Sequence, residues 1–220
     1  MTKEAIHSVL KVIWQGYRYA VEADIKDANK GKQNAKRSQR LIQEITKGLR
    51  AMFAGPGYED RNTGVLSKGV RSNVRGLSIA QEFLYDVHAF EYDVVGSPVQ
   101  GASVCIIRGS VLQLESELAH DTKAICTDFN KLVCGKADLK IMIMPRVKAG
   151  FKSTMNLLRG IALGIPEPLY LCVIPYPEDW GKAPANSQED IQVFRFDATD
   201  GGGIWNLLNR EKTAAGEARG

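Results

Sequence analysis

Residues 111–145 read VLQLESELAHDTKAICTDFNKLVCGKADLKIMIMP, and the order of patterns within them decides the fold. Val111-Leu112-Gln113-Leu114 is strand-like and climbs straight into Glu115-Ser116-Glu117. Side chains alternate across a pleated strand, so the two glutamates point to one face. Residues 120–135 change to helical spacing, with Ile125, Phe129, Leu132 and Val133 as the stripe to be buried and Gly135 near the end. Leu139–Met144 is then almost continuously apolar, the pattern of a strand covered on both faces.

The same reading extends outward. Downstream, residues 150–163 predict a helix with Phe151, Met155, Leu158 and Ala162 inward, closed by Gly164 and Pro166. Leu169–Ile174 is a second buried run, Ile191–Phe196 an edge strand, and residues 201–220 a short helix and a flexible tail. Upstream, Glu82-Phe83-Leu84-Tyr85-Asp86-Val87-His88-Ala89-Phe90 and Ser103–Arg108 read as strands, with Gly109-Ser110 as a hairpin turn into Val111. Residues 4–23 and 34–54 carry apolar stripes at helical period. Residues 55–77 hold five glycines and several basic residues without periodicity, and read as a long loop. The expected organisation is a basic N-terminal helical region and loop over residues 1–80, an α/β core over 81–200, and the tail.

Composition narrows the class. At 44% hydrophobic and 25% charged residues, the 220-residue chain is ordinary for one soluble domain or a domain with an appendage. No apolar run reaches membrane-spanning length, and the N-terminus makes a poor signal peptide. The four cysteines form no C-x-x-C pair and the three histidines are scattered, which points to reduced thiols, a cytoplasmic protein and no zinc site. Charge is uneven: residues 1–80 carry 15 Lys or Arg against 7 Asp or Glu, a net +8, and the remainder carries −4. A basic front attracts a polyanion, and an acidic remainder suits a cation. The basic candidates are Lys36, Arg37, Arg40 and Lys47 on the second helix, and Arg61, Lys68, Arg71 and Arg75 in the loop.

A strand with an acid, a strand ending in E-x-E, a helix, a buried strand, a helix and a further strand resembles the PD-(D/E)XK nuclease superfamily. The resemblance covers residues 82–145. It is strongest in the E-S-E motif with Asp128-Phe129-Asn130-Lys131-Leu132, and it points to the restriction-endonuclease subgroup in which glutamate replaces the motif lysine. It implies a restriction-endonuclease-like central mixed sheet flanked by helices, and magnesium-dependent hydrolysis of DNA phosphodiesters in restriction or host defence. It implies Asp86 and Glu115 as metal ligands, with the Ser116 carbonyl as a third oxygen. Glu117 is either the general base or a ligand for a second ion. Lys131 stands in for the lost lysine or contacts a phosphate, with Asp128 supporting it. Asp93 is the rival to Asp86 as first acid. Double-stranded DNA is the expected partner and a homodimer the expected assembly. A non-catalytic nucleic-acid-binding protein, or a regulatory subunit on the same fold, is the alternative.

Overall fold

The computed structural model describes residues 1–26, 34–56, 58, 61–68, 84–96, 103–119, 121–147, 150–180, 191–199 and 202–208. Helices α1 (Lys3–Lys26) and α2 (Asn34–Phe53) precede a seven-stranded sheet. Its strands are β1 (Thr63–Ser67), β2 (Val87–Gly96), β3 (Ser103–Ser116), β4 (Leu139–Pro145), β5 (Leu169–Ile174), β6 (Gln192–Thr199) and β7 (Gly202–Leu207), neighbours in chain order. β3, β4 and β5 run parallel and the outer pairs antiparallel. Parallel neighbours need a crossover, and α3 (Thr122–Lys131) and α4 (Phe151–Ala162) supply the two. The protein is therefore α/β, with a mixed sheet flanked, among the described residues, by four α-helices. Among the described residues, no helix is long and apolar enough to cross a membrane.

The apolar runs of β4 and β5 face two cores. Leu139, Ile141, Ile143, Tyr170, Cys172 and Ile174 pack with α1 and α2, while Met142, Met144, Leu169, Leu171 and Val173 pack with α3 and α4. Both faces are covered, which is why these strands do not alternate with polar residues. The N-terminal helices share the first of these cores with the sheet, so residue 80 does not divide two cores. They also approach each other closely. A Cβ on Gly48 would lie 2.6 Å from Val12 Cγ1, a contact that a larger residue forbids. Arg50 then ties α2 to β1 by donating from Nη2 to the Val65 carbonyl at 3.1 Å.

Several sequence expectations are corrected. The loop expected over 55–77 contains β1, whose Val65 and Leu66 are buried; five residues, one of them Gly64, are too few to show a period. Gly109-Ser110 is not a turn. β3 runs through it, and register shifts against β2 leave Arg108 and Val111 as extra residues, so these positions are bulges. β6 is an interior strand, because residues 202–207 form strand β7 beside it rather than a short helix. Trp205 packs against Phe196 in a tilted pair with ring centroids 5.0 Å apart, and a side chain at Gly203 would collide with the Phe196 ring, so this pairing admits little else. Residues 209–220 lie outside the described residues. Finally, α3 stops at Lys131 and Val133 is 40% exposed, outside the buried stripe.

Candidate active site at the end of strand β3

Strand parity builds the site. Leu112 and Leu114 face α1 and α2, so Gln113 and Glu115 face α3. Parallel pairing sets Glu115 opposite Met142 and Ser116 opposite Ile143, and the Glu117 N–H extends the ladder by donating to the Ile143 carbonyl at 3.0 Å. The E-S-E motif thus ends the strand at the carboxyl edge of the parallel pair, where open α/β sheets form crevices. Glu115 has no exposed surface, and Glu117 emerges half-buried just beyond the strand.

α3 supplies the facing wall. Asp121 caps it by accepting the Lys123 N–H at 2.9 Å. Burial of Ile125 and Phe129 turns Asp128 and Lys131 toward the end of β3. Lys131 Nζ donates to Glu115 Oε2 at 3.2 Å and stands 2.7 Å from Asp128 Oδ1. Behind the helix, the Tyr85 hydroxyl donates to the Cys134 carbonyl, and Lys140 Nζ donates to the Gly135 carbonyl at 2.9 Å. Gly135 sits at φ +99°, and a Cβ there would meet Tyr85 Oη at 3.1 Å and Gln113 Nε2 at 3.2 Å. Only glycine suits that position.

Asp86 comes from the bend before β2, not from a strand, since β2 begins at Val87. Strand alternation alone would set its side chain on the face shared with Leu84 and His88. Instead the bend frees it to reach across to β3, where Oδ2 accepts both the Ser116 N–H at 3.0 Å and the Ser116 hydroxyl at 2.8 Å. The Asp86 carbonyl accepts the Lys68 N–H at 3.1 Å. Asp93, its rival, lies farther along β2 and pairs with Arg108 Nε at 2.6 Å on an exposed stretch.

These elements enclose a cleft of about 510 Å³. Asp86, Ser116, Glu117, Asp128 and Lys131 line it, with Lys68 from the end of β1. Ser38, Gln39 and Ile42 of α2 complete the lining. The sequence pointed to α2 through its basic face, but nothing in it indicated that Ser38 and Gln39 would border the acids. Lys36, Arg37 and Arg40 lie on this same first half of α2. Lys47 is bonded to Glu44 at 2.6 Å more than a turn past Ile42. Arg61 pairs with Glu91 at 3.2 Å, beyond the end of β1 opposite Lys68. The structure therefore gathers Asp86, Glu115, Glu117, Asp128, Lys131 and Lys68, and leaves Arg61 and Lys47 apart. Arg71 and Arg75 lie outside the described residues.

Burial, and then the neighbouring Asp86 charge, push the Glu115 carboxyl up to about 8 in spite of Lys131. Glu117 is raised too. Burial is the largest cause, opposed by the Ala119 N–H, which donates to Oε1 at 2.7 Å, and reinforced by a hydrogen bond with Asp128. Burial works against the Lys131 ammonium, but its hydrogen bond to Asp128 and the charge of Glu115 prevail and raise its pKa.

Glu115 Oε1 is buried and has no hydrogen-bond partner among the described residues. Among the described residues, no group of three or more His, Cys, Asp or Glu is placed to hold a metal ion. Magnesium nevertheless needs few protein ligands, because it keeps several waters, and it selects hard oxygens. An orphaned buried carboxylate oxygen beside a second carboxylate, Asp86, fits that requirement. No protein-family model, curated protein or solved structure matches the chain.

Proposed function

We propose that this protein is a magnesium-dependent endonuclease with a restriction-endonuclease-like fold, which hydrolyses DNA phosphodiester bonds in restriction or host defence. One observation carries the reading. A fully buried carboxylate, Glu115, ends a sheet strand with one oxygen unpartnered, next to Asp86 and beneath a cleft that also holds two lysines. A buried acid is costly to ionise, and a hard cation offsets that cost. The order of strands and helices around the motif agrees with the nuclease resemblance.

Asp86 and Glu115 would hold the ion. When bound there, magnesium supplies Lewis-acid polarisation of the phosphate and a more acidic water. Lys131 and Lys68 border the cleft and neutralise phosphate oxygens, while Lys36, Arg37 and Arg40 bind the backbone along α2. Glu117, with its raised pKa and one oxygen fixed by Ala119, serves as general base toward the attacking water. A homodimer would deliver one such site to each strand of a duplex. Incubation with plasmid and magnesium, with and without EDTA, tests the reading alongside Glu115→Ala and Glu117→Ala. Cutting that EDTA and Glu115→Ala abolish is expected; an inert wild-type protein contradicts it.

A second reading has an observation of its own. Lys131 already pairs with Glu115 at 3.2 Å from within the chain, so the acid has a partner without an ion. That suits a non-catalytic nucleic-acid-binding protein or regulatory subunit on the same fold. Salt-sensitive DNA binding without cleavage would select it.

A further inference from the structure

We infer that Ser116, the middle residue of E-S-E, is a positioning residue whose hydroxyl orients the Asp86 carboxylate in the cleft; this rests on the nuclease reading above. Parity sends Ser116 to the face opposite Glu115, where its strand neighbours Leu112 and Leu114 are wholly buried among α1 and α2. An apolar residue would satisfy that core. A serine stands there instead, 7% exposed, and its hydroxyl crosses to Asp86. Its N–H donates to the same oxygen, so two donors from one residue meet Oδ2. A single hydrogen bond leaves a carboxylate free to turn about its terminal torsion, which is broad for aspartate. Two donors at different angles fix that torsion and leave Oδ1 for the cleft that Asp86 lines. The main chain of Asp86 is held separately by the Lys68 N–H. β1 therefore fixes where Asp86 starts, and β3 fixes where its carboxylate points.

The test is cation binding by the full chain, measured by calorimetry and by the melting-temperature shift with magnesium and manganese. Ser116→Ala keeps the N–H and removes only the hydroxyl. It is expected to weaken cation affinity about 10-fold or more, as loss of a ligand-orienting partner does. Ser116→Thr, which restores a hydroxyl, is expected to recover most of that loss. Ser116→Cys, close in size to serine and a poorer donor, covers the case in which Ser116→Ala does not fold, and is expected to weaken binding as well. Wild-type affinity in folded Ser116→Ala or Ser116→Cys overturns the role of Ser116 and leaves the nuclease reading standing. A wild-type chain with no response to either cation overturns both.

Discussion

The ammonium group of Lys131 lies 3.2 Å from Oε2 of Glu115, a carboxylate with no exposed surface. Removing one partner of a buried pair leaves an uncompensated charge, which costs more than the pair contributes. Lys131 is itself one-third exposed, so water softens the loss. Lys131→Met is expected to destabilise the fold by roughly 1–3 kcal/mol in urea unfolding at pH 8 with EDTA. Adding Glu115→Gln is expected to recover most of that. Equal losses in the single and double variants would show that the pair is not coupled.

His88 gives a separate acid-side signature. Burial lowers its pKa from 6.5 to about 4, and Nε2 stands 2.7 Å from Ser110 Oγ. The unfolded chain takes up a proton below pH 6.5, whereas the folded chain does so only near pH 4. Between those values the unfolded state holds more protons, so stability falls as pH falls. By pH 4 the loss attributable to this residue is about 3 kcal/mol. His88→Gln is expected to flatten the unfolding free energy over that window. A wild-type slope unchanged by the substitution contradicts the assignment.

Much of this architecture is legible in the chain. The unbroken runs Leu139–Met144 and Leu169–Ile174 require strands covered on both faces, and they are strands β4 and β5. The E-S-E glutamates share the α3 face as their spacing requires. What the sequence conceals is long-range. β1 is five residues among glycines, and only its pairing with β2 makes it a strand. β7 starts in a glycine triplet and is held by Trp205 on Phe196. The Gly109-Ser110 pair looks like a turn because a bulge and a turn use the same residues; continuous pairing with β2 decides between them. The sequence favours Asp86 but leaves Asp93 as its rival, and the bend before β2 is what brings Asp86 to Ser116. The α2 wall of the cleft is invisible for the same reason, since it depends on how two helices lie across the sheet.

The loop that backs α3 depends on one glycine. With φ at +99° and two polar atoms within 3.2 Å of a would-be Cβ, Gly135→Ala adds both backbone strain and a clash. A loss of about 1–3 kcal/mol is expected in urea unfolding. Tyr85→Phe, which removes the hydroxyl bonded to Cys134, is expected to make Gly135→Ala less costly in the double variant. Simple additivity of the two would show that they do not share this contact.

Position relative to the cleft separates the basic residues. Lys68 lines it, whereas Arg61 is bonded to Glu91 beyond the other end of β1. If the cleft receives a nucleic-acid backbone, Lys68→Ala lowers the slope of log affinity against log salt by about 1, as expected for one lost phosphate contact. Arg61→Ala leaves the slope unchanged. Fluorescence anisotropy with a labelled duplex from 50 to 200 mM salt, roughly the range over which such contacts are resolved, measures both. An effect of Arg61→Ala equal to that of Lys68→Ala would move the binding face away from the cleft.

The central claim is that Asp86 and Glu115 share a divalent cation. Anomalous diffraction from crystals soaked in manganese examines it directly. The account predicts a single strong peak within coordination distance of both carboxylates, accompanied by withdrawal of Lys131 from Glu115, and absent from Glu115→Gln crystals. Well-diffracting soaked crystals with no peak there, and Lys131 still seated on Glu115, would contradict it.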